Sequence, residues 1–343
     1  MEQDEFQSHF CEATDDDREI INKSKNKYFL IASKIKRVLL CNIRRRIYFL
    51  ARASNASGWF PHISLMIDGL LPNADVTPNT GRVLHIYYRH VHEKTNMISR
   101  DPNKLRPVWF SYESCFRNLM DTIRLDPQGN RVKIIIVYDG TLEDFNDDFI
   151  ADYYANKSFG LDMRFIRGGS NGNSFVITSG MVKNAQMPGS DLIYLLENDY
   201  LHQPGWVSKL FELYDSGYNF DYAALYDHPY SRKLYDFFMP TNLSTHVIHS
   251  RSHHWRTASS TCASFIVDKH TFDRDYNILM SGNHDYHLFE KLLSKSGRRL
   301  LISVPGLSTH SMEELLSPTV DWGKISAMKS SDDISKNDTS NNK

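Results

Sequence analysis

Short apolar runs alternate with amphipathic helical patterns through the middle of the chain, roughly from Gly81 to Trp322. The runs "RVLHIYY", "RVKIIIVYDG", "LDMRFIR" and "LIYLL" have the length and apolar content of buried strands. The helical patterns include "SYESCFRNLMDTI" with Ser111 as its N-cap, "FVITSGMVKNAQ", and "PGWVSKLFELYD", which is predicted to begin at Pro204. This order predicts an α/β fold in which helices flank a mostly parallel sheet.

Composition supports a large core and excludes several classes of protein. The 343 residues are 41% hydrophobic, and a net charge of −1 argues against a nucleic-acid partner. The four cysteines are scattered without a CxxC pair, which is typical of neither a disulfide framework nor a zinc site. No apolar run approaches the ~20 residues that span a bilayer, and the first residues lack a signal-peptide core. We expect a cytoplasmic protein.

The two ends differ in composition from the middle. Residues 1–22 are acidic and polar and are predicted to be disordered, as is the polar tail 323–343. Residues 23–80 are predicted to form a basic amphipathic helical extension and a linker, and 81–322 the main domain.

The segment Lys23–Arg52 contains many Lys and Arg residues and no Asp or Glu, and its apolar positions recur at helical spacing. One interpretation is a helix that packs on the main domain with a solvated basic face. The other is a peripheral membrane contact, in which the helix lies on anionic lipid, or a basic contact for a partner protein. Composition alone leaves both interpretations open.

Acidic and polar residues stand at the predicted carboxyl ends of three strands. Asp139 closes one run, the glycine-rich segment Gly168–Ser174 follows the next, and Glu197, Asn198 and Asp199 follow "LIYLL". Ligands of open parallel sheets bind beyond the carboxyl ends of the strands. The sequence therefore predicts a binding site at this edge.

Each of these features has two interpretations. The neighbouring carboxylates Glu197 and Asp199 repel unless Mg²⁺, Mn²⁺ or a sugar hydroxyl lies between them, or they form a solvated turn that caps the next helix. Asp139 accepts hydrogen bonds from a nucleotide base or ribose, or belongs to an ordinary Asp-Gly turn. "GGSNGNS" brings backbone N–H groups to a phosphate, or is a flexible loop that matches no known phosphate motif.

Two later residues extend the candidate site. Asp285 lies in the first turn of a predicted helix, where it is either a helix cap or a general base for a sugar hydroxyl. His310 lies in a predicted loop after a strand, where it is either a metal ligand or one of many surface histidines.

Five stretches of the main domain are similar to a poorly characterised set of microbial glycosyltransferase-like proteins. They are "WFSYESCFRNL", "LLENDYLHQPGW", "LYDHPY", "HWRTASSTCASF" and "PGLSTHSMEELLSPTVDW". The order of strand-end Asp139, glycine loop, acidic triplet, helix with Asp285 and late His310 resembles inverting glycosyltransferases of the GT-A fold, family 2-like. "ENDY" resembles their DXD-type motif, although Asn198 stands where many members have Asp. The resemblance covers roughly Gly81–Trp322 and implies a GT-A, Rossmann-like sheet there, whereas the N-terminal basic helical extension is predicted from composition alone.

The resemblance also implies a role for each site residue. A nucleotide-sugar donor would be held by a base contact at Asp139, by Asn198 and Glu197 at the ribose, and by the glycine-rich loop. A divalent metal, Mn²⁺ or Mg²⁺, would be bound by Asp199 and His310. The loop residues in this set are Gly169, Asn171 and Asn173.

The acceptor side completes the implied mechanism. Asp285 would deprotonate a hydroxyl of a glycan or lipid-linked acceptor, which displaces the nucleoside diphosphate directly and inverts the anomeric carbon. Trp255, with His254 beside it, is either a stacking wall for a sugar ring or a core aromatic. Two rival functions remain: a nucleotidyltransferase, and a non-catalytic carbohydrate- or nucleotide-binding protein on the same fold.

Overall fold

The structure is a computed structural model that describes residues 10–11, 79, 81–92, 105–157, 160–229, 245–258, 260–280, 288–289 and 297–328. Its strands are β1 (Phe10–Cys11), β2 (Leu84–His90), β3 (Val132–Asp139), β4 (Asp162–Ile166), β5 (Leu192–Glu197), β6 (Tyr200–His202), β7 (Tyr222–Ala224), β8 (Val247–His249), β9 (His254–Ala258), β10 (Phe265–Asp268), β11 (Leu300–Val304) and β12 (Ser308–His310). Its helices are α1 (Tyr112–Arg124), α2 (Leu142–Asn146), α3 (Phe149–Ala155), α4 (Asn171–Asn184), α5 (Trp206–Tyr214), α6 (Lys269–Leu279) and α7 (Trp322–Ser326). Short 3₁₀ turns lie at Gly129–Arg131 and Glu313–Leu315.

Within the described residues, one ten-stranded sheet has the order β1-β4-β3-β2-β5-β10-β7-β11-β9-β8. Strands β1 to β5 of this sheet are mutually parallel, and only β10 and β9 run against the rest. The predicted mixed α/β class with a mostly parallel sheet is confirmed. Strands β12 and β6 form a separate two-stranded antiparallel ribbon.

Alternate residues of the central strands enter two different cores. Along β3, Ile134 and Ile136 face the core built with α1, α3 and α5, whereas Ile135 and Val137 face the core built with α4 and α6. This alternation follows from the two-residue repeat of a strand. Both faces are covered, so the strand sequences are continuously apolar rather than alternating.

Helix ends follow the local sequence. Ser111 caps α1 in a capping box with Ser114, and Asp148 caps α3 by accepting from the Ile150 amide. Each such cap stabilises its helix by about 1 kcal/mol. Helix α5 begins at Trp206 rather than at the predicted Pro204, because Gly205 takes the N-cap position with a φ of 79°.

Three boundaries differ from the sequence predictions. Four of the seven residues of the predicted glycine loop belong to α4, because the Ser170 hydroxyl accepts from the Asn173 amide and starts the helix at Asn171. Phe10–Cys11, in the segment predicted to be disordered, pairs with β4. Helix α7 ends at Ser326, past the predicted domain boundary at 322. The predicted basic helix Lys23–Arg52 lies outside the described residues.

No helix among the described residues is long and apolar enough to cross a bilayer.

Candidate functional site at the carboxyl edge of the sheet

The carboxyl ends of β2, β3, β4 and β5 lie side by side because these strands are parallel neighbours. Asp139 ends β3, and Glu197 ends β5. Asp139 and Glu197 therefore lie at the same edge of the sheet.

Asp139 is held by the glycine-rich segment that follows β4. Its Oδ1 accepts from the Gly168 amide at 2.8 Å, and the Gly169 amide lies 3.2 Å from Oδ2. Burial raises the pKa of Asp139 above its ordinary value, although the two amides and Arg89 pull it down. The Asp139 carboxylate thus orders the start of the glycine-rich segment.

Gly168 is required by this contact. A Cβ at position 168 would lie 2.6 Å from Asp139 Oδ2 and 2.9 Å from the backbone nitrogen of Ser174. Gly169 has a φ of 65°, in the left-handed region that favours glycine. The double glycine therefore lets the backbone approach the strand-end carboxylate closely.

Asn171 links this loop to the acidic tip of β5. Its Nδ2 donates to Glu197 Oε1 at 2.9 Å, and its Oδ1 accepts from Arg89 Nη1 at 2.7 Å. Arg89 Nη2 also lies 3.2 Å from Glu197 Oε1, in an ion pair with a largely buried guanidinium. Asn173 supports the turn, because its Nδ2 donates to the Gly168 carbonyl at 2.9 Å.

Asp199 makes a separate charged cluster. His310 Nε2 lies 2.8 Å from Asp199 Oδ2, and Arg106 Nη2 donates to the same oxygen at 2.9 Å. Burial would raise the pKa of Asp199, but the His310 imidazole and the Arg106 guanidinium outweigh it and hold that pKa well below its ordinary range. Glu197 and Asp199 therefore have different cationic partners although they are two residues apart.

The ribbon of β6 and β12 brings His310 to Asp199. In its register His310 lies opposite Tyr200, and the two rings stack with centroids 5.2 Å apart. His310 is thus in a short strand, whereas the sequence predicted a loop. This strand pairing places the His310 imidazole beside Asp199, the residue before Tyr200.

Asn198 faces inward, away from the two acids that flank it. Its Nδ2 donates to His90 Nδ1 at 3.1 Å, so His90 Nε2 carries the proton and donates to Asp148 Oδ2 at 2.9 Å. Tyr138 donates to the same Asp148 oxygen. This buried chain gives Asn198 a structural reason to be an amide: a carboxylate there would face the lone pair of His90 Nδ1. Its predicted ribose contact stays a prediction.

The three residues predicted on the acceptor side are Trp255, His254 and Asp285. Trp255 is fully buried in the core, and its Nε1 donates to Ser250, so its ring is not available as a stacking wall. Trp255 is therefore a core aromatic and not a stacking wall for a sugar, because its side chain lies on the covered face of β9. His254 is exposed at the start of β9, opposite Val304. Asp285 lies outside the described residues, and its role stays a prediction.

Sequence reasoning missed Arg89, Arg106, His90 and Asp148. A signal for Arg89 and His90 existed, because two adjacent polar residues end a central strand that is mostly apolar. Arg106 and Asp148 lie in segments without a recognisable motif, and only the tertiary structure brings them to the tip of β5.

The side chains at Asp199 fit a metal that is shared with a substrate, but not one held by protein alone. Among the residues described, no group of three or more His, Cys, Asp or Glu side chains is placed to hold a metal ion. Asp199 and His310 supply one carboxylate oxygen and one imidazole nitrogen. Mg²⁺ is usually bound through one or two carboxylates with substrate phosphates and water completing its coordination, and imidazole and carboxylate are both ligands of such divalent ions.

No protein-family model and no curated protein matches this chain. Among solved structures, it is similar to GalNAc-T7 with UDP, GalNAc and Mn²⁺, with a TM-score of 0.41 and 10% identity over 69% of this chain and 44% of that one. It is also similar to apo mouse xyloside xylosyltransferase 1, with a TM-score of 0.32 and 12% identity over 64% of this chain and 76% of that one. The chain thus spans less than half of the GalNAc-T7 chain that it matches. The α/β class is assigned from the strand order of the described sheet and not from these similarities.

Proposed function

We propose that this chain is a metal-dependent glycosyltransferase of glycan biosynthesis that moves a sugar from a nucleotide-sugar to an acceptor hydroxyl with inversion. The observation that carries the proposal is the continuous set of contacts from Asp139 through the glycine loop and Asn171 to Glu197. Asp199 lies two residues beyond Glu197 and is paired with His310. Ligands of parallel sheets bind at this edge.

The proposed donor lies along this set of contacts. Asp139 takes the nucleoside end, while the start of α4 offers N–H groups and a positive dipole end to phosphate. Asp199 and His310 would hold the divalent metal. A bound divalent ion neutralises negative charge on the leaving diphosphate.

The proposed chemistry is a single displacement. The acceptor oxygen forms a bond to the anomeric carbon as the bond from that carbon to the diphosphate oxygen breaks, and Asp285 takes the acceptor proton. The acceptor is a glycan or lipid-linked hydroxyl, and the segment Lys23–Arg52 is the proposed lipid contact. Vesicle co-sedimentation with and without that segment tests this last part.

The activity is tested with purified protein, a panel of nucleotide-sugars, and Mn²⁺ or Mg²⁺, by measuring released nucleoside diphosphate. We expect release by the wild type, loss of nucleotide binding in Asp199→Asn, and loss of turnover with retained binding in Asp285→Asn. Asp162→Asn is the matched control, because Asp162 is an exposed acid paired with Arg164 on β4.

Two results would count against the proposal. Nucleotide binding without turnover from any donor favours the rival non-catalytic binding protein. Transfer of a nucleotidyl group rather than a sugar, with pyrophosphate released, favours the nucleotidyltransferase.

A further inference from the structure

Arg106 is fixed in place beside Asp199 by three contacts. Its Nη2 donates to Asp199 Oδ2 at 2.9 Å, and its Nη1 donates to the Ser311 carbonyl at 2.8 Å. The guanidinium carbon lies 4.3 Å from the centre of the Phe110 ring, a cation–π contact. A guanidinium held on three sides is an oriented part of the site rather than a mobile surface charge.

The guanidinium and the proposed metal need the same atom. Asp199 Oδ2 is the oxygen that lies 2.8 Å from His310 Nε2, so it is the atom best placed to share a metal with that imidazole. Arg106 already donates to it. A divalent cation bound there would lie next to a full positive charge in a partly buried site, where like charges repel strongly.

Arg106 also has an unused donor. Its Nε is buried and has no hydrogen-bond partner. Buried donors are nearly always paired, so an unpaired one calls for a missing partner. Guanidinium N–H groups match phosphate oxygens in both charge and geometry.

We propose that Arg106 is the resident counter-ion of Asp199, which keeps free divalent metal out of the site and makes metal and diphosphate bind together. The inference rests on the proposed function, because it assumes a nucleoside diphosphate at this edge. The diphosphate brings the negative charge that offsets the repulsion between the metal and Arg106. Metal and diphosphate therefore raise each other's affinity.

The test measures Mn²⁺ binding by electron paramagnetic resonance of the free ion, with and without UDP as the probe. The proteins are the wild type, Arg106→Met, and the control Arg124→Met, which removes an exposed arginine paired with Asp121 on α1. We expect UDP to tighten Mn²⁺ binding to the wild type at least about tenfold, within the usual range of coupling between two ligands. In Arg106→Met, Mn²⁺ alone should bind more tightly and the UDP enhancement should shrink, whereas Arg124→Met should behave as the wild type.

Equal Mn²⁺ affinity of the wild type with and without UDP would overturn the inference, as would unchanged affinity for Mn²⁺ alone in a folded Arg106→Met protein. If Arg106→Met does not fold, Arg106→Lys takes its place. Lysine keeps the positive charge beside Asp199, so Mn²⁺ alone should still bind weakly, and tight binding would contradict the inference. Failure of the wild type to bind UDP or any other nucleoside diphosphate contradicts the proposed function, whereas independent binding of UDP and Mn²⁺ contradicts this inference alone.

Discussion

Asp139 and Asp199 stand at the same edge of the sheet but are held in opposite ways. Asp139 accepts from backbone amides 29 and 30 residues further along the chain. Asp199 is held by the side chains of Arg106 and His310, which lie 93 and 111 residues away in the sequence. The pKa of Asp139 is raised and that of Asp199 is lowered. Asp139 orders a loop through its backbone amides, and burial makes Asp139 harder to ionise. Charged side chains instead keep Asp199 ionised.

Asp199→Asn should have the largest effect, because it removes the carboxylate that is held by charged side chains. It leaves the largely buried Arg106 without its counter-ion, and we expect a loss of about 3 kcal/mol in the free energy of unfolding, as for other broken buried ion pairs. Urea denaturation measures this loss. The double variant Asp199→Asn with Arg106→Met should recover a large part of it, because no charge is left unpaired. No recovery in the double variant would mean that Arg106 is not the partner that matters.

The residue between the two acids, Asn198, offers the next test. Asn198→Asp makes the tip fully acidic, as in many DXD-type motifs, but places a carboxylate against His90 Nδ1 in a buried chain. We expect the free energy of unfolding to fall by about 2 kcal/mol, the cost of unmatched buried polar groups. Mn²⁺ affinity should not improve. Asn219→Asp is the control, because it adds the same charge at an exposed position. An equal loss of stability in Asn219→Asp would show that the contact with His90 is not the cause.

The fold was largely predictable from the sequence, whereas the site was predictable only in part. Apolar runs such as Val132–Asp139 have a local signature, and parallel order follows from the alternation of strands and helices. Asp139 and Glu197 were found because strand ends can be located along a chain. Arg106 was missed because its role depends on which distant segments meet, and Trp255 was misjudged because a sequence does not tell which face of a strand is covered.

A change in the loop around Asp139 should cost less stability than the two changes above. In Gly168→Ala the new Cβ would collide with Asp139 Oδ2 and the Ser174 backbone, so we expect a loss of about 1.5 kcal/mol, typical of an overpacked site. Gly172→Ala is the matched control on the same segment, because a Cβ there meets nothing within 4 Å. Alanine also favours the helix, so this control should be neutral or slightly stabilising. Thermal unfolding of the two variants compares them directly.

The smallest effect concerns pH. Because the folded-state pKa of Asp139 is raised, its contribution to stability is fully present below the unfolded value of about 3.9 and is lost as the pH rises through the folded pKa. Asp139→Asn keeps an acceptor for the two glycine amides and removes this titration. The wild type should therefore lose stability relative to Asp139→Asn as the pH rises above about 4. Urea denaturation at several pH values measures the difference, and an opposite slope would contradict the raised pKa.

The central claim is that the amide-held Asp139 and the side-chain-held Asp199 serve one nucleotide site. Isothermal titration calorimetry of UDP with Mn²⁺ present tests it on the wild type, Asp139→Asn, Asp199→Asn and the control Asp162→Asn. We predict that each of the two site variants weakens UDP binding at least about tenfold, equivalent to about 1.4 kcal/mol, while the control binds as the wild type does. Unchanged UDP affinity in either site variant would contradict the claim.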